Sequence, residues 1–511
     1  MMAKRSMLNV IIGVLSQLIV IGLGFYIPRL VILTYGSEAN GLITSVVQII
    51  TYLSLLEAGV GAASIQALYK PIGSNDTSKI NEILTATSSY YRKTGVYYLI
   101  AVILISIVYP LIVSSGFSNL TVMAIVVLSG LGGAINYYFQ GKFRVLLIAE
   151  GKNYIEASVT ALSTIVNNVI RIVLMLNGVD IILVQAVYFI ITIIQIIVYQ
   201  IYMRKNYKWI NFKSTPDYQA ISQKNSVLIH ELSYLIFKNT DIVLLTLFTN
   251  LKVVSVYMMY NMIFSVVERV TFTIRDSFKF ALGQKYDNNF AKFVKMFNLF
   301  ESSYISLVFA LLTITTILIL PFMKLYTSGI EDTNYIDTLL PLLFAAVKLL
   351  FNARLSSDLV IDIVGHFKKT QWRSILETVI NFVFSLVLVF PFGAYGVLIA
   401  TMIALTYRLI DIVWYTNSKL LHRSSWITYK KWLVNIVISV IAIITIEQFD
   451  FIITPDSYTM FIISAGLLSI VIVPLYFIVG LWMSKSDAGI IKETLSPLLS
   501  KFGIRKTGLQ K

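Results

Sequence analysis

Cysteine is absent from this chain, which removes disulfides, thiolate metal sites and a cysteine nucleophile. Histidine is nearly absent too. His230, His366 and His422 are the whole set, and they fall at or beyond predicted helix ends with no shared ligand spacing, so no zinc centre is expected. Charge is also scarce. Asp, Glu, Lys and Arg supply 13% of the 511 residues, about half of what an ordinary globular chain carries. No Gly-rich phosphate loop precedes a helix bearing Lys-Ser/Thr, so fuel from a bound nucleotide is not expected. The outward loops are short and lack a nucleophile–base set. Covalent chemistry and a resident cofactor are therefore not expected.

What the chain has is apolar sequence in long blocks, within an overall 57% of hydrophobic residues. Leu8–Pro28, Thr94–Ser118, Asn119–Gly141, Ile181–Met203, Ser302–Met323 and Ser457–Ser484 contain no charge. Each reaches the roughly 20 residues that cross a hydrocarbon core. In lipid such a block must satisfy its own backbone hydrogen bonds, which makes it a helix, and the alternation of a β-barrel strand is missing. The reading is an all-α membrane protein of about fourteen transmembrane helices, at 8–33, 39–68, 94–115, 119–141, 154–177, 179–203, 227–249, 253–282, 298–326, 335–364, 373–391, 393–416, 432–448 and 457–483. Lys4-Arg5 and the apolar run after them imitate a secretory signal, but the run is too long and no small-residue cleavage site follows. It is read as a retained first span. Pro391 to Gly396 splits a charge-free stretch too long for one crossing, and Asn177 to Asp180 does the same between the fifth and sixth spans.

Basic residues fix the expected orientation. One alternate set of connecting segments holds 30 of the 41 Lys and Arg; the opposite set holds only Lys252, among acids such as Glu38, Glu331, Asp332, Asp337, Asp450 and Asp456. Cytoplasmic segments carry the Lys/Arg excess, so both termini are expected in the cytoplasm and the protein in the inner (cytoplasmic) membrane. The same asymmetry accounts for the +15 net charge, which reflects topology and contact with anionic membrane lipids, not nucleic acid. The tail after Trp482 reads equally as a surface-lying segment or a plain end.

Ten cations remain inside or at the edges of spans: Arg29, Arg171, Lys238, Arg269, Arg275, Lys279, Lys324, Lys348, Arg354 and Arg408. An ionisable group at that depth is costly and usually faces a bundle interior or a wet cavity. Lys279 and Lys324 lie near span ends and can snorkel. Arg171 continues a helical stripe with Thr164, Asn167 and Asn168. Glu231, Tyr234, Lys238 and Asp241 share one face, as do Tyr257, Asn261, Glu268 and Arg275. Arg354–Asp358, Arg408–Asp411 and Lys238–Asp241 have the spacing of local ion pairs that hold helices, with a lumenal role equally open. Arg29, Arg171 and Lys348 have no acid three or four residues away and are candidates for an external anion. Glu57 sits in a span beside Gly59 and Gly61, placed either to carry H+ or Na+ or to anchor a hydrogen bond between helices.

A weak internal echo joins two halves. Tyr35-Gly36-Ser37-Glu38-Ala39-Asn40-Gly41-Leu42 and Phe248-Thr249-Asn250-Leu251 to Ser255-Val256-Tyr257 are both short outward turns entering an even-numbered helix, six spans apart. Repeated six-helix halves are a common transporter plan. Those turns, together with Leu53 to Gly61 and Asn239-Thr240-Asp241-Ile242-Val243-Leu244-Leu245, resemble the Wzx-type polysaccharide flippases of the MOP superfamily, the exporters of O-antigen and capsule repeat units. The fourteen-span layout extends the resemblance over the whole chain.

The resemblance implies two six-helix lobes around a central cavity, at 1–205 and 227–416, joined by a cytoplasmic linker at 206–226. Two additional helices at 417–483 and a tail at 484–511 follow. It also implies a transporter, not an enzyme. Its cargo would be an undecaprenyl-diphosphate-linked oligosaccharide, moved from the inner to the outer leaflet for capsule, exopolysaccharide or teichoic-acid-type polymers. Arg29, Arg171, Lys238, Arg275, Lys348, Arg354 and Arg408 would then bind the substrate, and Glu57 and Asp241 would couple Na+ or H+. The polymerase and glycosyltransferases of the same pathway are possible partners, and a monomer is expected. Two rivals share the fold. A cation-exporting multidrug antiporter is expected to place an acid on the first helix, where this chain has Arg29. A lipid II flippase is expected to carry more basic residues in its first two spans. A membrane-embedded glycosyltransferase or polymerase would need a large outward loop, and none is present.

Overall fold

The computed structural model of the chain describes residues 22–57, 59–221, 224–448 and 455–484. The start of the predicted first span, Asp450 and the tail after Ser484 lie outside these residues, as do the side chains of Glu231 and Tyr234. Among the described residues there is no strand. The helices are α1 (Gly22–Tyr35), α2 (Ser37–Tyr52), α3 (Val60–Gly73), α4 (Thr77–Ile112), α5 (Asn119–Phe139), α6 (Gly141–Ala149), α7 (Asn153–Leu176) and α8 (Ile181–Asn206). There follow α9 (Lys224–Phe248), α10 (Leu251–Asn288), α11 (Phe290–Tyr326), α12 (Leu339–Val364), α13 (Phe367–Trp414), α14 (Trp426–Glu447) and α15 (Tyr458–Met483). Among the described residues, eleven segments are long and apolar enough to cross a membrane.

Local chemistry sets the helix ends. Asp76, Ser118, Asp180, Asn289 and Ser457 each accept a hydrogen bond from a first-turn backbone N–H of α4, α5, α8, α11 and α15. The predicted joint at 391–396 is a kink inside α13, where Gly393 takes φ 52°, ψ −123°, a conformation costly for any side chain. Asn381 Nδ2 donates to Thr401 Oγ1 (2.9 Å) across that kink, so the two arms of α13 lie side by side.

The second predicted span, read as one helix over 39–68, is two. After α2 the chain tightens into a 3₁₀ turn at Leu53–Leu56, passes Glu57, and turns at Gly59 (φ 85°) before α3 begins. Helix α4 starts 17 residues before the predicted 94, because its first half is a mixed polar face that no charge-free count detects.

The chain divides into two compact units. The first takes in residues up to Met259 with Gly329–Asn334 and Ser385–Val397; the second takes in Tyr260–Ser328, Tyr335–Phe384 and Leu398 onward. In the first unit, α4 and α5 pack closely. A Cβ on Gly130 would stand 2.5 Å from Val102 Cγ2, and one on Gly95 2.9 Å from Tyr138 Cβ. Small residues at such seams let membrane helices approach, where lipid gives them no hydrophobic push. One apolar core joins Leu42, Val46, Val102, Val126 and Val184, and a second joins Val60, Ile83, Leu146 and Tyr199.

The second unit is centred on Ile305, Phe309, Ala353, Trp432, Leu468 and Ile472. Thr313, Ser439 and Tyr476 form a closed hydrogen-bonded triangle (2.6–3.0 Å) tying α11, α14 and α15. Large apolar side chains such as Leu120 (77% exposed), Leu111, Ile462, Ile470 and Val471 stand on the outside. Water would not tolerate an apolar surface of that extent, and lipid does.

Candidate functional site

The first unit brings the echoed segments together. Asn40 Nδ2 donates to Ser255 Oγ (2.8 Å), Thr246 Oγ1 donates to Ser45 Oγ (2.8 Å), and Tyr109 OH reaches the same Ser45 (2.9 Å). A Cβ on Gly41 would sit 1.8 Å from the Leu251 carbonyl oxygen, so only glycine fits that crossing. These motif residues are packing and hydrogen-bonding elements of the α2–α9–α10 joint. The turns that the sequence predicts to face outward are tied as well. Asp332 accepts from Ser37 N (2.7 Å) and Ser37 Oγ (2.6 Å), Lys252 Nζ donates to the Asp332 carbonyl (2.8 Å), and Glu38 accepts from Gly116 N (2.6 Å).

Arg171 stands apart in this unit. It lies in α7, half-buried, with Nε wholly buried and without a hydrogen-bond partner. Its electrostatic neighbours are the hydroxyls of Tyr35 and Tyr188, not a carboxylate. Tyr35 OH is itself directed at the Val179 carbonyl (2.5 Å). Asn167, one turn before Arg171, is buried with its Oδ1 also unpartnered. The polar stripe read from the sequence therefore includes a guanidinium and an amide with spare hydrogen-bonding capacity. Arg29 is half-buried in α1, and Lys238 is exposed on α9.

The two acids singled out from the sequence are both held by tyrosines. Glu57 sits at the break between α2 and α3, where its carboxylate accepts from Tyr91 OH, and Tyr137 lies within reach. Asp241 is buried and accepts from Tyr257 OH (2.8 Å), so two motif segments 16 residues apart close on each other.

The second unit carries a charged network on α10, α12 and α13. Arg275 binds Asp362 (2.5 Å) and Asp276 (3.0 Å), and its Nε donates to the Leu355 carbonyl (3.1 Å). Lys279 joins Asp362 at 3.3 Å. Lys348, which has no acid within a turn of its own helix, meets Glu268 of α10 at 2.5 Å. Arg354 is paired with Glu377 and lies 3.6 Å from Asp358. Arg408 stands 3.5–3.6 Å from Asp358, Glu377 and Asp411, while Arg373 takes the other oxygen of Asp411 at 2.8 Å. Asn352 backs this array, accepting from Thr271 (2.6 Å) and Tyr304 (3.2 Å).

Six cations therefore face six carboxylates, so Arg275, Lys348, Arg354 and Arg408 need no external anion for neutrality. Sequence reasoning passed over Glu377, Asp362 and Arg373 as partners, because they lie on other helices or at a span edge. Their signal was simple: each is a charge within a few residues of an apolar run. Arg408 is held loosely: its Nε and Nη1 are fully buried and, at 3.5 Å from their nearest carboxylate oxygens, make no hydrogen bond. A guanidinium placed so can change partners. Among the described residues, no cluster of three or more His, Asp or Glu is arranged to hold a metal ion.

By sequence, no family model and no curated protein matches the chain. Solved structures do. A lipid II flippase, MurJ, in an inward closed conformation superposes with a TM-score of 0.70 at 15% identity, over 92% of this chain and 99% of that one. An inward-facing multidrug resistance MATE family transporter of the MOP superfamily gives 0.60 at 17% identity, over 78% of this chain and 94% of that one. Its outward-facing counterpart gives 0.50 at 16%, over 79% and 94%. At such identities the likeness is one of fold. The chain is thus an all-helical, multi-pass membrane protein with a MOP-like fold, the architecture of these transporters.

Proposed function

We propose that this protein is a flippase. It moves undecaprenyl-diphosphate-linked oligosaccharide repeat units from the inner to the outer leaflet of the cytoplasmic membrane by alternating access, supplying a capsule, exopolysaccharide or teichoic-acid-type polymer. The observation that carries the reading is Arg171, a guanidinium inside the membrane with a buried, unpartnered Nε and tyrosine hydroxyls for neighbours. An unbalanced cation at that depth marks a substrate pathway by default, and it suits anionic cargo such as a diphosphate. The fold likeness supports the lipid-linked class, since the flippase matches more of this chain (92%) than the drug transporter does (78%).

Arg29 and Lys238 join Arg171 as the docking set in this reading. The balanced network of Arg275, Lys348, Arg354 and Arg408 serves to exchange partners during the cycle. Glu57 at the broken second span and Asp241 carry H+ or Na+, the tyrosine hydroxyls giving each carboxylate a donor whether or not an ion is bound. Interrupted helices are where transporters place such sites.

The test is a host with the gene deleted. Extracted lipids are assayed for undecaprenyl-linked oligosaccharide, and an impermeant glycosidase reports the leaflet. Complete repeat units trapped on the cytoplasmic side support the reading, and supplying Arg171→Ala in place of the wild-type gene should leave them trapped. Unchanged lipid-linked sugars would point to cation export instead, the reading that the carboxylates of half-buried Glu57 and buried Asp241 on a MATE-like fold would favour.

A further inference from the structure

The end of the second unit that carries the basic segments 285–295 and 419–431 contains a cavity of about 690 Å³. Its walls are the first turns of α11 (Lys295, Asn298), the turn before α14 (Arg423), the start of α14 (Trp426, Lys430, Lys431) and the end of α15 (Trp482). Among the described residues that line it, four are cations and none is a carboxylate. Directly behind them lies Glu301, wholly buried, whose Oε2 takes both Arg423 Nη2 (2.8 Å) and Lys431 Nζ (2.7 Å). Its other oxygen accepts from Thr428 Oγ1 (2.8 Å). One carboxylate is thus fully engaged while four cations face the cavity, an excess of three positive charges. Arg423 is fixed in place by Asn417 Oδ1 (2.5 Å), Asn298 Oδ1 (3.2 Å) and the Phe297 ring (5.2 Å to its centroid). Lys295 and Lys430 are exposed at the rim and free to swing.

Positive charge gathered at a low-dielectric wall is costly unless an anion answers it. The mouth shows what kind of anion. Trp426 (61% exposed) and Trp482 (59% exposed) flank it, and tryptophans of that exposure on a membrane protein mark the headgroup level. Ile427 and Met483 complete an apolar lip suited to acyl chains. We infer that this cavity is a binding site for an anionic phospholipid, its phosphate seated among Lys295, Arg423 and Lys430, with Lys431, whose ammonium is spent on Glu301 and Asn298, adding charge from behind, and its tails running out past the tryptophans. No residue assigned above to the substrate lines it. The site clamps the two C-terminal helices to α11 through a lipid.

The test uses the full chain in phosphatidylcholine nanodiscs, titrated with phosphatidylglycerol, with the thermal midpoint and lipids retained in native mass spectrometry as readouts. Inorganic phosphate and sn-glycerol 3-phosphate form the headgroup-only arm. Phosphatidylglycerol should raise the wild-type midpoint and stay bound, and the soluble phosphates should not. Lys295→Gln and Lys430→Gln, both exposed and outside the Glu301 lock, should each weaken phosphatidylglycerol about fivefold. Lys430→Arg, which keeps the charge, and Lys324→Gln, at the opposite end of α11, should bind as wild type. Unchanged lipid affinity in the double Gln variant overturns the site. An equal response to glycerol phosphate overturns its assignment to lipid.

Discussion

Glu301 offers a quantitative test of how the C-terminal helices are held. Its side chain is 0% exposed, and those of Arg423 and Lys431 are 9% and 3%. In Glu301→Leu the volume is roughly kept, but two buried cations lose the carboxylate they share. Removing one partner from a buried ionic group costs about 3–5 kcal/mol, mostly from the charge left behind. The lower end applies here, because Lys431 keeps Asn298 Oδ1 (2.7 Å) and Arg423 keeps Asn417 and Asn298. Replacing the whole group with apolar residues removes the stranded charge, so Glu301→Leu/Arg423→Met/Lys431→Met should recover most of the loss. The assay is the SDS-titration midpoint in mixed micelles, with heated samples compared by fluorescence-detected size exclusion. A Glu301→Leu protein within about 1 kcal/mol of wild type, or a triple variant no better than the single one, would refute the reasoning.

Three further outcomes are expected. Asp332→Asn weakens the hold on Ser37 and so loosens the turn that carries it; in this cysteine-free chain a Thr333→Cys reporter should then react faster with maleimide in detergent-solubilised protein, and an unchanged rate contradicts the tie. Gly41→Ala drives a Cβ into the Leu251 carbonyl and should abolish folded protein in membranes. Gly73→Ala, with nothing within 4 Å, should express normally, and equal yields would refute the packing argument. Lys142 lies buried against the rings of Phe143 and Phe212, and burial, then the charge of Arg92, push its pKa down to about 8. Because its folded pKa lies below the ordinary lysine value of 10.5, the unfolded chain binds more protons between the two. Stability should therefore rise as pH climbs from about 8 toward 10.5. Lys142→Met should flatten that part of the thermal-midpoint profile, and an unaltered slope would show that another group sets it.

The helical architecture was legible because the bilayer imposes it. Charge-free blocks of a membrane's width and the Pro391–Gly396 joint are written in one dimension. Span two was misread as a continuous helix because nothing in a hydrophobicity count distinguishes Gly59 in a helix from Gly59 at φ 85°. Its glycines and Glu57 were visible, but the break they make depends on Tyr91 and Gly61 packing around that carboxylate. The charges divide in the same way. Arg354–Asp358 and Arg408–Asp411 could be read from helical spacing, and both are present, at 3.6 and 3.5 Å. Lys348 has no acid within a turn because its partner Glu268 is 80 residues away, and Glu377, which serves both arginines, lies on the arm of α13 before the kink, 23 residues from Arg354 and across the kink from Arg408. Spacing reports neighbours on one helix, whereas a polytopic site is assembled across several.

The most direct test of the account is translocation by purified protein in liposomes loaded with undecaprenyl-diphosphate-linked oligosaccharide, scored by access of an external impermeant glycosidase. The wild-type protein should equilibrate the lipid-linked sugar between leaflets. Arg171→Ala, reconstituted to the same level, should lose this, and Arg171→Lys should keep part of it. Equal translocation by wild type and Arg171→Ala, or none by the wild type beyond protein-free liposomes, would contradict the account.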